Sequence, residues 1–387
     1  MEYVGKKVLL IDGGSRQVLP MIKGFHSLGF EVSVLCGSKL DVGYNFKYTD
    51  KKIYAYYNTD SYEKTYQSVL DVVKRDRYDI VVPMNDFAAT ILSKNKDVFS
   101  KYCGCVYVND YDKFLMAADK MNTMKICMAN KIPCPKTLEG SRFEDLDITQ
   151  LIFPVVVKPR VGYGANGFNI VENKDDLKSV FDKVKEKFGS VLVQEFIPNG
   201  GEQYQVEMVM GSNGEPKSFL LMDKIRWYPI DGGSSTLNKT IHDEDIKNSC
   251  VKLLKEIGWD GYASLDLIRD PRDGVAKIME INPRINGTVK LCFFAGLDIA
   301  GQIAEYAFSQ NITHYPEYKD GLFLHYVHMD ILHIIKSKNK RKNICSCFNF
   351  KNSVDEIFYH EDIRPFLVYS ITSVKKLLND KKKRSIE

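Results

Sequence analysis

The sequence has no long hydrophobic run and little net charge. No stretch of 18 apolar residues occurs among its 387 residues, so a transmembrane helix is not expected. Met1 to Lys7 contains charged residues and no apolar segment, so a secretory signal is not expected either. The formal net charge is only +4, which gives no reason to expect a nucleic-acid partner. These absences predict a cytoplasmic protein, and the length predicts two or three compact units.

The cysteines do not form an obvious framework of disulfides or metal ligands. Nine are present, and their spacing does not suggest paired bridges. Cys103/Cys105 and Cys345/Cys347 have C-x-C spacing, but they lack matching histidine or cysteine partners for zinc. Reduced thiols are the interpretation that fits an intracellular protein.

The first part of the chain alternates between short apolar runs and helical stretches. Apolar runs occur at residues 8–11, 31–35, 79–83 and 105–108, and a helical pattern fills residues 86–94. Buried strands separated by helices predict an open, parallel α/β sheet over residues 1–110. The turn after the first strand, Gly13-Gly14-Ser15-Arg16, lacks the complete G-x-G-x-x-G spacing, so a dinucleotide cofactor is not favoured.

The pattern changes between residues 151 and 310. Two prolines, Pro133 and Pro135, separate this part from a predicted helix at residues 119–130. Strands are predicted at residues 153–158, 190–195 and 203–210, with a charged helix at residues 175–187. This pattern is typical of an α+β unit with antiparallel strands.

A predicted hairpin brings acidic side chains together. Its turn is centred on residue 273, which places Asp266 opposite Glu280. Asn282 shares the face of Glu280 because side chains alternate along a strand. Three oxygen donors in this arrangement suit Mg²⁺, which prefers hard oxygen ligands. A salt-bridged surface hairpin is the alternative.

Three basic side chains could contact phosphate groups. Arg284 follows the hairpin directly and could stabilise a transferring phosphoryl group. Lys158 ends a buried apolar strand, where a lysine needs an anionic partner, and the following loop with Gly164 and Gly167 would let backbone N–H groups approach phosphates. Since the lysine precedes the loop, this is not a P-loop, and a plain turn is the alternative. Lys120 lies on a predicted helix, where a solvated surface lysine is the alternative.

The segment Glu195-Phe196-Ile197-Pro198 leaves a predicted strand as extended chain. An adenine ring needs an apolar slot with one backbone donor and one backbone acceptor, which this segment could supply. Glu202, seven residues after Glu195, could accept hydrogen bonds from ribose hydroxyls. An edge strand with a bend is the alternative.

Taken in order, these fragments resemble the ATP-grasp superfamily. The order is Lys120, Val-Lys-Pro with its glycine loop, Gln-Glu-Phe-Ile with a later glutamate, Asp266 and Glu-Ile-Asn-Pro-Arg. The resemblance covers roughly residues 6–310. It implies an α/β pre-ATP-grasp domain at 1–110, an α+β ATP-grasp domain at 111–320 and a C-terminal appendage at 321–387. Within the ATP-grasp domain it implies a central subdomain at about 120–200 and a C-terminal subdomain at about 201–320.

The resemblance also implies a role for each matching residue. Lys120, Lys158, Gly164 and Gly167 would contact the ATP phosphates, Glu195, Phe196 and Ile197 the adenine, and Glu202 the ribose, while Asp266, Glu280 and Asn282 would bind magnesium. Arg284 would stabilise the transferring phosphate and the acyl phosphate. Two magnesium ions would accompany ATP, with manganese as an alternative ion.

The chemistry of the superfamily then becomes the expected function. ATP phosphorylates a carboxylate, and an amine displaces phosphate from the acyl phosphate to form an amide. We therefore expect an ADP-forming carbon–nitrogen ligase for a small carboxylate and a small amine, such as an amino acid, a peptide or a sugar acid of a surface polysaccharide. The alternatives are a non-catalytic ATP-binding module and a carbamoyl-phosphate-synthase-like or carboxylase-like enzyme. The identities of the acid and the amine do not follow from the sequence.

Residues 224–236 resemble a segment of carboxylate–amine ligases that faces the substrate. Arg226 is a second catalytic candidate because it could clamp a carboxylate with both arms of its guanidinium. Ser234 and Ser235 could hold an anion. Ser15 is a further substrate candidate, since the N-terminal domain often contributes to the acceptor site in this superfamily. An arginine-capped loop is the alternative for residues 224–236.

The tail beyond residue 320 mixes apolar residues with lysines. Residues 363–378 predict a helix with an apolar face and a lysine-rich face, and a basic run follows at residues 381–384. This pattern could rest on an anionic membrane surface or contact a partner protein. A packed subdomain with a solvated, charged end is the alternative. The sequence leaves the oligomeric state open.

Overall fold

The N-terminal unit is an open parallel sheet. The computed structural model describes residues 2–162, 167–230, 233–309, 311–337 and 351–373. The first strands are β1 (Lys7–Ile11), β2 (Glu31–Cys36), β3 (Lys51–Tyr54), β4 (Ile80–Pro83) and β5 (Cys105–Val106), in the order β3-β2-β1-β4-β5. The helices are α1 (Val18–Leu28), α2 (Tyr62–Asp76), α3 (Asp86–Lys94) and α4 (Lys96–Phe99). The predicted parallel α/β sheet is confirmed, and β3, α2 and α4 are additional to the predicted elements.

The strand order reverses between β1 and β4. The carboxyl ends of parallel strands at such a switch point are where open α/β sheets bind ligands. The loops after β1 and β4 meet there, and Asn85 Nδ2 donates to Asp12 Oδ2 at 2.6 Å. Asp12 adopts a φ of +87°, and Gly13 is required beside it because a Cβ at that position would overlap Cys36 Sγ. The loops at the switch point therefore form a tight turn with polar side chains.

A small antiparallel sheet follows two helices. The helices are α5 (Tyr111–Ala118) and α6 (Lys120–Ala129). The sheet contains β6 (Thr137–Glu139), β7 (Val155–Pro159), β8 (Asn169–Val171) and β9 (Val191–Glu195), in the order β6-β9-β7-β8, and α7 (Lys174–Phe188) packs on it. Valines of β7 and β9 point into a core with Leu177 and Phe181 of α7. This sheet places Lys158, near the end of β7, against the large sheet described next.

The remaining strands form one seven-stranded sheet. They are β10 (Gln203–Met210), β11 (Pro216–Tyr228), β12 (Ser234–Ile241), β13 (Gly261–Arg269), β14 (Ala276–Asn282), β15 (Phe323–His325) and β16 (Ser353–Asp355). Their order is β14-β13-β10-β11-β12-β15-β16. The accompanying helices are α8 (Glu244–Ile257), α9 (Val289–Phe294), α10 (Ile299–Phe308), α11 (Val327–Lys336) and α12 (residues 364–373).

The two faces of the large sheet pack against different helices. Side chains alternate along a strand, so Met208 of β10 joins the core with α8, whereas Val209 joins the core with α1, α9 and α10. The second face also packs on Phe25 of α1. Gln205 and Glu207 share that face by alternation. Gln205 and Glu207 therefore lie on the face of the large sheet that packs toward the N-terminal unit.

The segment beyond residue 320 joins the large sheet. β15 pairs with β12, and β16 pairs in parallel with β15. Phe366 and Tyr369 of α12 pack against the core that contains α1. The predicted helix at residues 363–378 is thus helical at 364–373, and residues 374–378 lie outside the described residues. Within the described ranges, no helix is long and apolar enough to cross a membrane.

Candidate active site

The β13–β14 hairpin brings together the carboxylates predicted from the sequence. Asp266 lies opposite Glu280, and Ser264 lies opposite Asn282. Asn282 Nδ2 donates to Asp266 Oδ2 at 3.0 Å. The predicted register and the convergence of Asp266, Glu280 and Asn282 are therefore confirmed, while their role as metal ligands stays a prediction.

Each carboxylate of the hairpin contacts a lysine from a distant part of the chain. Lys120 Nζ lies 3.0 Å from Glu280 Oε2, and it also donates to the Gly162 carbonyl at 2.9 Å. Lys224 Nζ lies 2.5 Å from Asp266 Oδ1. Burial opposes ionisation of Asp266, but Lys224 and Asn282 outweigh it, so the pKa of Asp266 is lowered. Both carboxylates thus lie in positions that attract cations.

Lys158 adds a buried ammonium to this group. It is buried near the end of β7, where burial lowers its pKa to about 8, although the charge of Glu280 opposes the shift. The nearby charge of Lys120 lowers the pKa further. Two lysines facing one glutamate leave an excess of positive charge, which suits a phosphate group.

The glycine loop after Lys158 is only partly within the described residues. Gly164 lies outside them, so its predicted phosphate contact has no structural test here. Gly167 has a φ of +76°, and a Cβ there would lie 2.6 Å from Phe188 Cε2 and 2.8 Å from Pro159 Cγ. Only glycine fits this position without rearrangement.

Arg284 connects the hairpin to the N-terminal sheet. Its Nε donates to Asp86 Oδ2 at 3.1 Å, and its Nη2 lies 3.3 Å from Asn282 Oδ1. Its Nη1 is buried and has no hydrogen-bond partner. A buried donor without a partner is costly, and a phosphate or carboxylate oxygen from a ligand would satisfy it.

A buried polar network lies beneath Arg284. Glu207 accepts hydrogen bonds from Gln205 Nε2 at 2.8 Å, from Thr288 Oγ1 and from the Tyr262 hydroxyl. Burial raises the pKa of Glu207 to about 7 in spite of these bonds and the nearby charge of Arg284. Because Thr288 closes the loop that begins at Arg284, this network fixes the position of the loop.

The predicted nucleotide residues lie along β9 and its exit. Glu195 Oε1 is 2.6 Å from Arg272 Nη2, and Glu195 Oε2 accepts from the Lys136 backbone N–H at 3.1 Å. Its carboxylate is therefore engaged, and an adenine contact would use its backbone or those of its neighbours. Ile197 is buried, which fits an apolar slot.

Two further nucleotide candidates are more open. The Glu202 side chain is 57% exposed and lies 3.5 Å from Arg269 Nε, so its carboxylate remains accessible to a ribose. Phe196 is half-buried beside Glu195. All of these nucleotide roles stay predictions.

Arg226 is engaged in a different way from the predicted one. Its Nε and Nη2 lie 2.8 and 2.5 Å from the two carboxylate oxygens of Asp330 on α11. Thr236 Oγ1 donates to Asp330 at 2.9 Å. The guanidinium binds a carboxylate of the chain itself, so we do not carry Arg226 into the substrate site proposed below.

The serine candidates lie on two different segments of the chain. Ser234 and Ser235 begin β12 opposite Tyr228 and Trp227, and Ser235 is buried. Ser15 lies at the switch point, where its hydroxyl donates to Asp12. The roles of these three serines as substrate contacts stay predictions.

The donor set of the hairpin fits magnesium. Two carboxylates and one amide oxygen are hard ligands. Among the described residues, no cluster of three His, Cys, Asp or Glu side chains could hold a metal, so an ion here needs Asn282 and ligand phosphates to complete its shell. This is the usual mode of Mg²⁺ in phosphoryl-transfer sites.

Three residues of this site were not identified from the sequence. Glu207 had a signal, since a single acid inside the apolar strand β10 needs buried partners. Lys224 and Asp86 had none, because each contacts a residue far away in sequence. Asp86 in particular has the ordinary place of an acid in the first turn of a helix.

Comparison with known proteins gives one family and a common fold. Residues 117–288 match the model of an ATP-grasp domain. The chain is 27% identical to D-aspartate ligase of Enterococcus faecium over 58% of this chain and 58% of the relative. It is 27% identical to carbamoyl-phosphate synthase of Methanobrevibacter smithii over 45% of this chain and 47% of the relative. The chain thus spans only about half the length of these curated relatives.

A solved structure shows the same fold. The L-amino acid ligase from Bacillus licheniformis superposes with a TM-score of 0.64 at 16% identity, covering 80% of this chain and 75% of that one. The carboxylates of the hairpin and the two lysines near Glu280 all lie within residues 117–288, the range that matches the family model. Residues 117–288 are thus similar in sequence to an ATP-grasp domain, and the fold of the chain is that of an ATP-grasp ligase.

Proposed function

We propose that the protein is an ADP-forming ligase that activates a carboxylate with ATP and joins it to an amine. The observation that carries this proposal is the placement of Lys120 and Lys158 around Glu280, beside Asp266 and the unpartnered Nη1 of Arg284. This arrangement combines a cation site with an excess of positive charge for phosphates. A purely structural hairpin would not need an unpaired, buried guanidinium nitrogen.

The proposed reaction has two steps. A carboxylate oxygen of the acid attacks the γ-phosphorus of ATP, the bond to the β-phosphate oxygen breaks, and ADP leaves. The amine then attacks the carbonyl carbon of the acyl phosphate, inorganic phosphate leaves, and the amine loses a proton. The products are an amide, ADP and phosphate. Phosphorylation is needed because a free carboxylate is a poor electrophile.

Different residues of the chain would bind ATP, stabilise the phosphoryl group and hold the metal. Lys120 and Lys158 would bind and orient the ATP phosphates by charge-assisted hydrogen bonds. Arg284 Nη1 would donate to the transferring phosphoryl group or to the acyl phosphate. Asp266, Glu280 and Asn282 would hold magnesium, which neutralises phosphate charge when bound.

The names of the relatives favour an amino acid as one substrate. D-aspartate ligase and L-amino acid ligase both act on amino acids by name. A carbamoyl-phosphate-synthase-like activity is the second candidate, because a carbamoyl-phosphate synthase is also among the relatives. The two candidates differ in the acid: bicarbonate for the second, an organic carboxylate for the first.

The test measures ADP release from MgATP with three types of acid. The acids are bicarbonate, aspartate and alanine, each with hydroxylamine as a small nucleophile that converts an acyl phosphate into a hydroxamate. Hydroxamate formed from an amino acid supports the ligase. ADP release with bicarbonate alone supports the second candidate. Binding of MgATP without ADP release from any acid would contradict both and leave an ATP-binding module.

A variant controls for contaminating ATPases. Asp266→Asn removes one charge from the hairpin without changing its shape, so hydroxamate formation should fall to background. Asp320→Asn, in the exposed loop before β15, removes the same charge away from the site and should retain the rate.

A further inference from the structure

Arg16 lies in the switch-point loop and contacts the C-terminal segment. Its Nε is 2.7 Å from Glu356 Oε2. Its guanidinium carbon lies 3.9 Å from the centre of the Tyr326 ring. The Tyr326 hydroxyl is 2.5 Å from that of Tyr369 on α12. Arg16 is thus held on one edge by a carboxylate and on one face by a ring, and both partners come from beyond residue 320.

The carboxylate of Glu356, which pairs with Arg16, is buried. Glu356 is only 2% exposed, whereas the Arg16 side chain is 22% exposed. The Glu356 backbone N–H donates to the His325 carbonyl at 2.8 Å, which fixes it at the end of β16. Burial raises the pKa of Glu356 to about 7, and Arg16 opposes that shift. A buried acid in this position orients an arginine that itself reaches solvent.

The guanidinium of Arg16 lies beside the Arg284 loop. A Cβ on Gly287 would lie 2.9 Å from Arg16 Nη2, so glycine there leaves room for the guanidinium. Glu356 contacts Nε and Tyr326 is a further hydrogen-bond partner of the guanidinium, but arginine has five N–H donors, so these two partners do not use all of them. Gly287 comes three residues after Arg284. Arg16 therefore lies beside the loop that begins at Arg284.

The course of the chain after the hairpin relates Arg16 to the phosphate end of the site. Glu280, with Lys120, marks the phosphate end. From there β14 leads to Arg284, which pairs with Asp86 after β4, and then to Gly287 beside Arg16. Arg16 thus contacts the chain beyond Arg284, whereas Lys120 contacts it at Glu280, before Arg284. An anion bound there belongs to a substrate and is not the carboxylate being phosphorylated.

We propose that Arg16 binds a second, unreacted carboxylate of a substrate, and that Glu356 and Tyr326 of the C-terminal segment position it. This inference rests on the proposed function and narrows its substrate class to molecules with a spare carboxylate. The spare carboxylate belongs either to an amino-acid nucleophile or to a dicarboxylic acid. Both sources present the same group to Arg16, and matched substrates separate them.

The first arm varies the amine. Alanine and ethylamine are compared as nucleophiles with one acid, since they differ by the carboxylate alone. The second arm varies the acid, with succinate and butyrate compared in the hydroxylamine assay. Arg16→Gln should remove the preference for the carboxylate-bearing partner in one arm, a loss of about 10- to 100-fold in kcat/KM for that partner. The arm that responds identifies the source.

Companion variants separate substrate binding from structural support. Arg16→Lys keeps the charge and should recover part of the preference. Glu356→Gln should raise KM for the same substrate while kcat changes little, a split that general destabilisation does not produce. Lys23→Ala is the control, because Lys23 Nζ lies 2.5 Å from Glu361 Oε1 and joins α1 to the same C-terminal segment without touching Arg16. It should behave as the wild type.

A binding measurement tests the role of Arg16 without requiring turnover. Equilibrium dialysis of labelled aspartate against the full chain with MgADP should show binding that Arg16→Gln weakens about 10-fold or more, while MgADP binding is unchanged. Equal aspartate binding by both proteins, or none by the wild type, would overturn the role of Arg16. Failure of the ligase activity alone would show as MgATP binding without hydroxamate, so the two failures are distinguishable.

Discussion

The ammonium of Lys120 lies 3.0 Å from the carboxylate of Glu280. This pair joins α6, at the start of the small sheet, to β14, at the edge of the large sheet. Lys158 adds a second positive charge near the same carboxylate. A ligand bound between the two sheets would therefore meet an acid from one sheet and lysines from the other side, which is the setting for a metal–phosphate complex.

Glu280→Gln should abolish turnover and leave the fold intact. The amide keeps the size of the side chain but removes the charge that faces Lys120 and the cation site, so hydroxamate formation should fall by roughly two to four orders of magnitude. Asp273→Asn is the matched control, since Asp273 lies in the turn of the same hairpin and its side chain is 48% exposed. A nearly normal rate for Glu280→Gln would exclude this hairpin as the metal site.

Lys224→Met should strengthen metal binding. Lys224 Nζ lies 2.5 Å from Asp266 Oδ1, so in the absence of metal it competes with a cation for that oxygen. Its removal should lower the Kd for Mn²⁺ with ADP, followed by electron paramagnetic resonance, by about 3- to 10-fold.

The control for Lys224→Met has the same change in net charge. Lys239 lies on the neighbouring strand β12 and pairs with Asp223 in the strand register, away from Asp266. Lys239→Met should leave the Kd unchanged. Weaker Mn²⁺ binding in Lys224→Met than in the wild type would show that Lys224 supports the ion instead of competing with it.

Local geometry explains which parts of the site could be predicted from the sequence. Asp266 and Glu280 are joined by one tight turn, so the alternation of two short strands fixes their register. The lysine partners of these acids could not be paired in this way. Lys120 reaches Glu280 only because α6 packs on β14, and that packing depends on contacts spread over the whole domain.

The contact made by Arg226 could not be predicted from the sequence either. Its charge and the glycine–serine run after it favoured a substrate clamp. Asp330, which takes up the guanidinium, lies on α11, and nothing near Arg226 in sequence indicates that this helix packs there. The parallel sheet of the N-terminal unit was easier to predict from the sequence, because β1, β2 and β4 are apolar runs separated by helices. The short strand β3, Lys51–Tyr54, has a single buried residue and no such run.

Glu207→Gln should make stability less dependent on pH. Burial raises the pKa of Glu207 from 4.5 to about 7. The folded state then keeps a proton that the unfolded state has lost, so the free energy of unfolding falls as pH rises from about 4.5 to 7 and is constant below that window. The loss is on the order of 3 kcal/mol at most for a shift of this size.

Denaturant unfolding between pH 5 and 8 checks this effect. The wild type should lose more stability across the window than Glu207→Gln does. Glu356 contributes a slope of the same sign, since burial also raises its pKa to about 7, so the variant should be flatter but not flat. Glu215→Gln, at an exposed acid, is the control. Equal slopes for the wild type and Glu207→Gln would mean that the buried carboxylate titrates normally.

The basic tail should bind anionic membranes through α12 and the residues that follow it. Ile363, Leu367 and Ile371, spaced four residues apart, are each about half exposed, which is the spacing of one helix face. Six basic residues follow between 375 and 384, and each basic residue near an anionic surface contributes about 1 kcal/mol of attraction. The full chain should sediment with phosphatidylserine vesicles and not with phosphatidylcholine vesicles.

Removal of residues 374–387 should return the protein to the soluble fraction, because α12 alone lacks the basic run. A variant with Lys174, Lys183 and Lys187 of α7 replaced by glutamine lowers the net charge elsewhere and should still sediment. Raised salt should release the full chain, since screening shortens the range of the attraction. Equal recovery of the full and shortened chains in the soluble fraction would favour the other interpretation, in which α12 packs on the core through Phe366 and Tyr369 and the basic run is simply solvated.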